Sequence, residues 1–285
     1  MPEISILLPV RDGARTIEAA ALSILNQSFS DFELILLDDG SSDDTVERVR
    51  ALRDDRIKIH SDGRKLGLAP RLNQGIGLAR GRLLARMDAD DLSLPCRLEI
   101  QRNYLLMHPD VDLVAGRAVV FRNDAEIIGL LPFAAEHEEI MARPWRAVPL
   151  PHPTWMGRKK WFSQHLYRLP EVRRAEDQEL LLRAAPVSRY ACVPDVVLAY
   201  RQGRFDLRKT LLARRQLLAA QAGIFYRAGE WKKLLLVSLF FGAKVAVDLL
   251  AALPGGQRFF FARMAHAVPV ESATLLRKLL SGHGR

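Results

Sequence analysis

Apolar residues 4–10 (ISILLPV) form a short run broken only by Ser5, the pattern of a strand buried on both faces. Polar residues follow, and apolar positions then recur at helical spacing through Ile17, Ala20, Ala21, Ile24 and Leu25. The alternation repeats. Residues 32–37 predict a second strand, and Ser42 or Asp43 reads as the N-cap of a helix through Val46, Val49 and Leu52. Residues 56–60 predict a third strand, 68–79 a helix and 82–87 a fourth strand. Such repetition builds a mostly parallel α/β sheet flanked by helices, with ligands bound outside the carboxyl ends of the strands. Beyond Asp91 the pattern loosens into a helix over 94–107, strands around 111–121 and 126–131, and a Pro- and Trp-rich loop over 144–157. A helix is expected from about Ala175, with strand-like runs at 190–193 and 196–201.

The acidic clusters fall where that sheet would bind ligands. Asp38-Asp39-Gly40-Ser41 closes the second strand, and Asp88-Ala89-Asp90-Asp91 closes the fourth. Asp88 and Asp90 can project to one side of a strand-end turn, where uncompensated carboxylates repel one another and shift upward in pKa. A divalent cation relieves that repulsion, and hard oxygen ligands favour Mg2+ or Mn2+. Other chemistries find no motif. Gly75-Ile76-Gly77 lacks the third glycine of a dinucleotide fingerprint and precedes a strand instead of following one. No GxxxxGK[ST], GxSxG or HExxH occurs.

Composition sets the frame around this site. At 285 residues, 49% hydrophobic and 26% charged, the chain has the balance of a folded protein with one large domain, or one domain and an appendage. Two cysteines without a CxxC exclude a disulfide scaffold and a cysteine-built zinc site. Residues 1–10 lack the basic start and cleavage site of a signal peptide, which places the expected location in the cytoplasm. Charge is uneven: residues 1–200 sum to −2, whereas residues 201–285 carry 15 basic and 4 acidic side chains, or +11. A basic tail suits an acidic partner. Without a zinc-finger or RNA-recognition motif, an anionic membrane surface is the better match, and no nucleic acid is expected.

Six segments in order, PVRDG, DDGSSDDT, GLAPRLNQGIGLARG, RMDADD, LPCRLEIQ and AEDQELLLR, resemble the family 2 inverting glycosyltransferases over residues 3–200. The resemblance implies a GT-A fold with a Rossmann-like nucleotide-binding half, and a metal-dependent hexosyl- or N-acetylhexosaminyl-transferase. It implies a nucleotide-sugar donor (a UDP-sugar favoured) and a glycan or lipid-linked acceptor in bacterial surface polysaccharide or lipopolysaccharide synthesis. Pro9, Val10, Arg11 and Asp12 would pack the nucleotide base and Asp39 would hydrogen-bond it. Asp88, with Ala89 beside it, would meet the ribose, Asp90 would hold the Mn2+ or Mg2+ on the diphosphate, and Asp177 would be the catalytic base. Asp91 and Glu176 would support them. Lys65 stands where many relatives carry Asn, open to the phosphates or to solvent, and Arg71 either reaches the diphosphate or lies on the surface. In Pro151-His152-Pro153-Thr154-Trp155, His152 could touch the metal or acceptor and Trp155 could stack on a sugar ring. The rival readings are a nucleotidyltransferase and a non-catalytic, membrane-docked binding module on the same fold.

The catalytic domain is thus expected over 1–203 and a basic helical extension over 204–285. Residues 206–228 predict an amphipathic helix with Leu207, Leu211, Leu218, Ala222 and Phe225 on one side. Residues 234–253 are mostly apolar and long enough to span a bilayer, but they contain Lys244 and Asp248, each costly inside a membrane. Lys232, Lys233, Arg258 and Arg263 flank them. An interfacial helix on the inner face of a membrane (through residues 206–267), packing on the catalytic domain or on a second copy in a homo-oligomer, and a true span all remain open.

Overall fold

Four parallel strands, three of them buried along their whole length, set the frame in the computed structural model, which describes residues 1–122, 126–169, 174–203, 205–253, 256 and 267–282. They are β1 (Ile4–Val10), β2 (Phe32–Asp38), β3 (Ile57–Ser61) and β4 (Leu83–Arg86), in the order β3-β2-β1-β4. The register runs Ile4↔Phe32 to Val10↔Asp38 on one side of β1 and Ile4↔Leu83 to Leu7↔Arg86 on the other. After β3 the chain crosses back over β1 to form β4. The carboxyl ends of β1 and β4 therefore border the point where strand order reverses, the crevice in which open α/β sheets bind ligands.

Alternate residues of these strands feed two cores on opposite faces of the sheet. Ile4, Ile6, Leu8, Leu34 and Leu36 pack with α1 (Ile17–Leu25) and α4 (Arg97–Met107). Leu7, Ile35 and Leu37 pack with α3 (Leu68–Leu78), α6 (Lys159–Gln164) and α7 (Glu176–Ala184). Gly75 explains part of the Gly-Ile-Gly run: a Cβ there would lie 2.6 Å from a Leu37 methyl, so glycine lets α3 approach the sheet. The short helix α2 (Thr45–Arg50) has Asp44 at its N-cap position, one or two residues later than expected, while Asp43 accepts from the Thr45 N–H at 3.1 Å.

The second half of the sheet is mixed. β5 (Leu92–Ser93), β6 (Leu113–Arg122), β7 (Glu126–Leu130), β8 (Met156–Arg158) and β9 (Tyr190–Arg201) continue it in the order β4-β8-β6-β9-β5, with β7 beside β6. Residues 144–157, expected to be loop, contain the start of β8, which runs antiparallel between β4 and β6 in mid-sheet. The two strand-like runs after residue 190 are one parallel strand whose pairing with β6 shifts register at Gly116 and Arg117, so that Pro194 and Asp195 fall in the irregularity. One turn of helix, α5 (His137–Ile140), lies between β7 and β8.

The C-terminal region is helical, with α8 (Leu207–Arg227), α9 (Trp231–Ala251) and α10 (Val270–Gly282). α8 buries Leu217, Gln221 and Phe225; Phe225 belongs to the expected apolar side, whereas Leu207, Leu211, Leu218 and Ala222 of that side are only partly buried. Gln221 Nε2 donates to the Pro144 carbonyl at 2.6 Å, tying α8 to the segment before β8. Leu276 of α10 is fully buried against Leu92, Leu94, Phe121 and Ala199. Arg258 and Arg263 lie outside the described residues.

Candidate active site

The loop after β1 is tied to the loop after β2 by side chain–backbone hydrogen bonds. Asp12, at φ 50°, accepts from the Ser42 N–H at 2.8 Å and donates its own N–H to Ser41 Oγ at 2.9 Å. Gly13 N–H donates to Thr45 Oγ1 at 2.8 Å, and Arg11 pairs with Asp12 at 3.5 Å. Hydrogen bonds from Ser42 hold the Asp12 carboxyl below the usual range, so it stays ionised. Pro9 and Val10, the last residues of β1, face the same cleft as Asp12.

Asp39 is largely buried and performs structural work: Oδ1 accepts from the Leu66 and Gly67 N–H groups at 2.7 and 3.0 Å and from Arg71 Nε at 3.2 Å. Its Oδ2 accepts from Gly67 N–H at 3.1 Å. Gly40, at φ +70°, makes this turn possible, since a Cβ there would sit 3.0 Å from the Gly63 carbonyl. Arg71 is neither on the surface nor open to a diphosphate. Its guanidinium is buried, with donors taken by Asp39, Asp62 at 2.7 Å and Gln74 at 2.9 Å. Its acidic partners lie 9 and 32 residues away, which local spacing could not reveal. Lys65 is exposed.

At the end of β4, Asp88, Asp90 and Asp91 each present a carboxylate oxygen within 4.8 Å of the others. Burial, then the Asp88 charge, pushes Asp90 upward; the same causes, with Asp90 added, push Asp91 well upward. Asp91 is fully buried. Its Oδ1 accepts from the Arg201 N–H at 2.8 Å, and its Oδ2 has no hydrogen-bond partner among the described residues. An orphaned buried oxygen beside two further carboxylates is the donor chemistry that a hard divalent cation satisfies, so the residues fit Mn2+ or Mg2+.

Arg86 lies beneath this turn. Its guanidinium is buried and hydrogen-bonded to Asp88, while Nε and Nη1 have no hydrogen-bond partner among the described residues. Burial disfavours its charge, but the attraction of Asp88, Asp91 and Glu176 outweighs burial and leaves it firmly cationic. Arg97 and Gln101 of α4 hold this strand end from behind: Arg97 donates to the Arg86 carbonyl at 2.7 Å and Gln101 to the Thr154 carbonyl at 2.7 Å.

Across Arg86, α7 delivers Glu176 and Asp177 in its first turn. Ala175 precedes them in the left-handed region at φ 61°, a strained conformation for alanine that starts the helix abruptly. Burial, then Asp177, pushes Glu176 up to about 7. Burial also raises Asp177, opposed by a hydrogen bond from Gln178 Nε2 at 3.2 Å and by the Arg86 charge. Gln178 in turn accepts from the Val148 N–H at 2.8 Å, which anchors the start of the helix.

His152 is buried and held neutral, its pKa driven well below 6.5 by burial and by Arg86. Its Nε2 lies 2.7 Å from the Tyr167 hydroxyl. Trp155 is completely buried, with its indole N–H donating to the Leu150 carbonyl at 3.2 Å. It is a core side chain and not a stacking platform for a sugar, because the strand β8 that follows it runs through mid-sheet.

The structure thus brings Pro9, Val10, Arg11, Asp12, Asp88, Ala89 and Asp90 into one open cleft of about 580 Å3, with Arg15 and Arg201 on its wall. Asp91, Glu176 and Asp177 group around the same buried arginine. Sequence reasoning passed over Arg86, Arg201 and Tyr167. Only Arg86 left a trace, as a charged residue ending an otherwise apolar strand directly before the acids.

This geometry agrees with sequence comparison. The model of glycosyl transferase family 2 matches residues 5–166. The chain belongs to glycosyl transferase family 2. This family 2 transferase is 35% identical over 189 residues to EpsE of Bacillus subtilis (strain 168), a match covering 64% of this chain and 66% of that protein. It is 30% identical over 219 residues to the O-antigen biosynthesis glycosyltransferase WbnJ of Escherichia coli, covering 74% and 84%. Among solved structures, S. aureus TarS 1-349 in complex with UDP-GlcNAc aligns with a TM-score of 0.61 at 15% identity, over 99% of this chain and 80% of that one. Glucosyl-3-phosphoglycerate synthase from Mycobacterium tuberculosis, in complex with Mn2+, UDP and phosphoglyceric acid, aligns at 0.55 with 21% identity, over 78% of each chain. At these identities the likeness carries the fold, a mixed α/β sheet of GT-A type.

Proposed function

We propose that the protein is an inverting, metal-dependent hexosyl- or N-acetylhexosaminyl-transferase that moves a sugar from a nucleotide donor, a UDP-sugar by preference, to an acceptor hydroxyl. The observation that carries this reading is the convergence of two acid groups on Arg86. Asp88 and Asp90 border the cleft at the β1–β4 switch point with Asp91 buried beside them, and Asp177 also feels the Arg86 charge.

In this reading Pro9, Val10, Arg11 and Asp12 receive the base, with Asp39 behind them, and Asp88 and Ala89 meet the ribose. A cation held by Asp90, with Asp91 in support, would neutralise charge on the nucleoside diphosphate leaving group. Asp177 accepts the proton of the acceptor hydroxyl, whose oxygen bonds to the anomeric carbon as the bond to the diphosphate oxygen breaks. Attack from the face opposite the leaving group inverts that carbon and needs no protein nucleophile. The raised pKa of Asp177 matches the task, because a base poised nearer neutrality holds an abstracted proton better than an ordinary aspartate. Arg86 keeps Glu176 and Asp177 ionisable despite their burial. WbnJ supports a cell-surface polysaccharide under assembly as the acceptor, and the cytoplasm is the proposed location.

The test is Asp177→Asn. We expect transfer to fall by about 100-fold or more while nucleotide affinity stays within twofold. Undiminished transfer would remove Asp177 as the base.

A further inference from the structure

Helix α9 carries its apolar residues outward. It is 21 residues long with a mean hydropathy of 2.1 in its most apolar window, yet only 17% of that window is buried. Trp231, Leu235, Leu239, Leu249, Leu250 and, just past the helix end, Leu253 are each at least half exposed. At 3.6 residues per turn these positions share one face.

The two mid-helix charges lie on the opposite face. Asp248 is fully buried and accepts from Arg214 of α8 at 2.9 and 3.3 Å. Lys244 donates to the Arg146 carbonyl, and the Arg146 guanidinium lies over the Phe240 ring at 4.6 Å. The penalty that these charges would impose inside a membrane therefore does not fall on the outer face, which is uncharged beyond Lys232. A helix whose other side is fastened to protein through an ion pair and a hydrogen bond is also not built to cross a bilayer alone.

We infer that the outer face of α9 is a docking surface for an anionic phospholipid bilayer, lying in the plane of the headgroup–acyl boundary. Three observations select a lipid surface. Residues 201–285 carry +11, and α8 exposes Arg208, Lys209, Arg215 and Arg227 beside this hairpin, with Lys232 at the start of α9. Such a basic collar attracts anionic headgroups, whereas a second copy of the same face would bring like charges together. Trp231 and Tyr226 meet edge to face at 5.5 Å on the hairpin turn, both more than 60% exposed, a pair suited to headgroup depth. The apolar stripe with polar flanks is the pattern of an in-plane helix.

The test uses the full chain and flotation with vesicles of phosphatidylcholine alone or mixed equally with phosphatidylglycerol. The expected result is flotation with the anionic vesicles only, weakened at least tenfold in Leu235→Ser/Leu239→Ser. Both side chains are more than 60% exposed, so the variant should keep the wild-type melting temperature and nucleotide binding. Protein that fails to float with either vesicle, or floats equally with both, overturns the inference. So does a stable homo-oligomer in sedimentation that the double variant splits, since a second copy would then cover the face. Flotation needs neither donor nor acceptor, so its failure is distinct from failure of the transfer reading.

Discussion

Glu176→Gln separates the electrostatic cost of the site from its packing. Glu176 is 9% exposed and its pKa rises from 4.5 to about 7, first through burial and then through Asp177. An acid whose folded pKa is raised contributes stability that is complete below its unfolded value and is lost as pH rises through its folded value. The window here is from about pH 4.5 to just above 7. The difference corresponds to about 3 kcal/mol of stability removed from the wild type by pH 8. Glutamine keeps the shape and cannot ionise, so the variant escapes this loss. Urea unfolding in chelator from pH 4.5 to 8.5 is the assay. The wild type should fall behind the variant by about 3 kcal/mol across that range, roughly 5 °C in melting temperature for a chain of this size. The gap should open from about pH 4.5 and be complete just above pH 7. A difference between the two proteins that is constant with pH would refute the argument, because it would show that Glu176 titrates in the native state as it does in the unfolded chain.

The remaining expectations concern the acids and their shared cation. Mn2+ or Mg2+ should raise the melting temperature more at pH 8 than at pH 5.5, because the raised Asp90 and Asp91 bind protons in competition with metal at the lower pH. An equal shift at both, read by differential scanning fluorimetry, would argue against those carboxylates as ligands. Arg86→Met should cost about 3–5 kcal/mol by leaving buried carboxylates unpaired, and Asp88→Asn in the same chain should recover part of that loss. Simple additivity in chemical denaturation would show that Arg86 and Asp88 do not act together. Asp177→Asn, measured by transfer and by nucleotide titration, distinguishes the base from the donor site.

The parallel half of the fold was legible because β1, β2 and β4 are largely apolar runs closed by polar turn residues, as in 4–10 followed by Arg11-Asp12-Gly13. Acids at strand ends could be placed without coordinates, since strand ends define where an open sheet binds. The antiparallel half was not legible in the same way. β8 is three residues long, too short for any period, and its place between β4 and β6 is set by pairings with residues more than 40 positions away. Trp155 and Arg71 have the composition of ligand-binding residues, and only their tertiary partners show that one fills the core and the other braces the Asp39 turn. The hydropathy of α9 was plain, but not the direction of its charges, because the pairing of Asp248 with Arg214 depends on how α8 and α9 pack.

The central claim is a metal-dependent nucleotide-sugar site at the ends of β1 and β4, and its most direct test is a thermal-shift titration. UDP, GDP, dTDP and CDP are each added with and without Mn2+, to the wild type and to Asp90→Asn. One nucleoside diphosphate, UDP by the present account, should stabilise the wild type only when Mn2+ is present, by about 2.7 kcal/mol at a hundredfold excess over its dissociation constant. The variant should lose that shift. If all four leave the wild-type melt unchanged with metal present, the cleft beside Asp88 and Asp90 is not a donor site, and the account fails there.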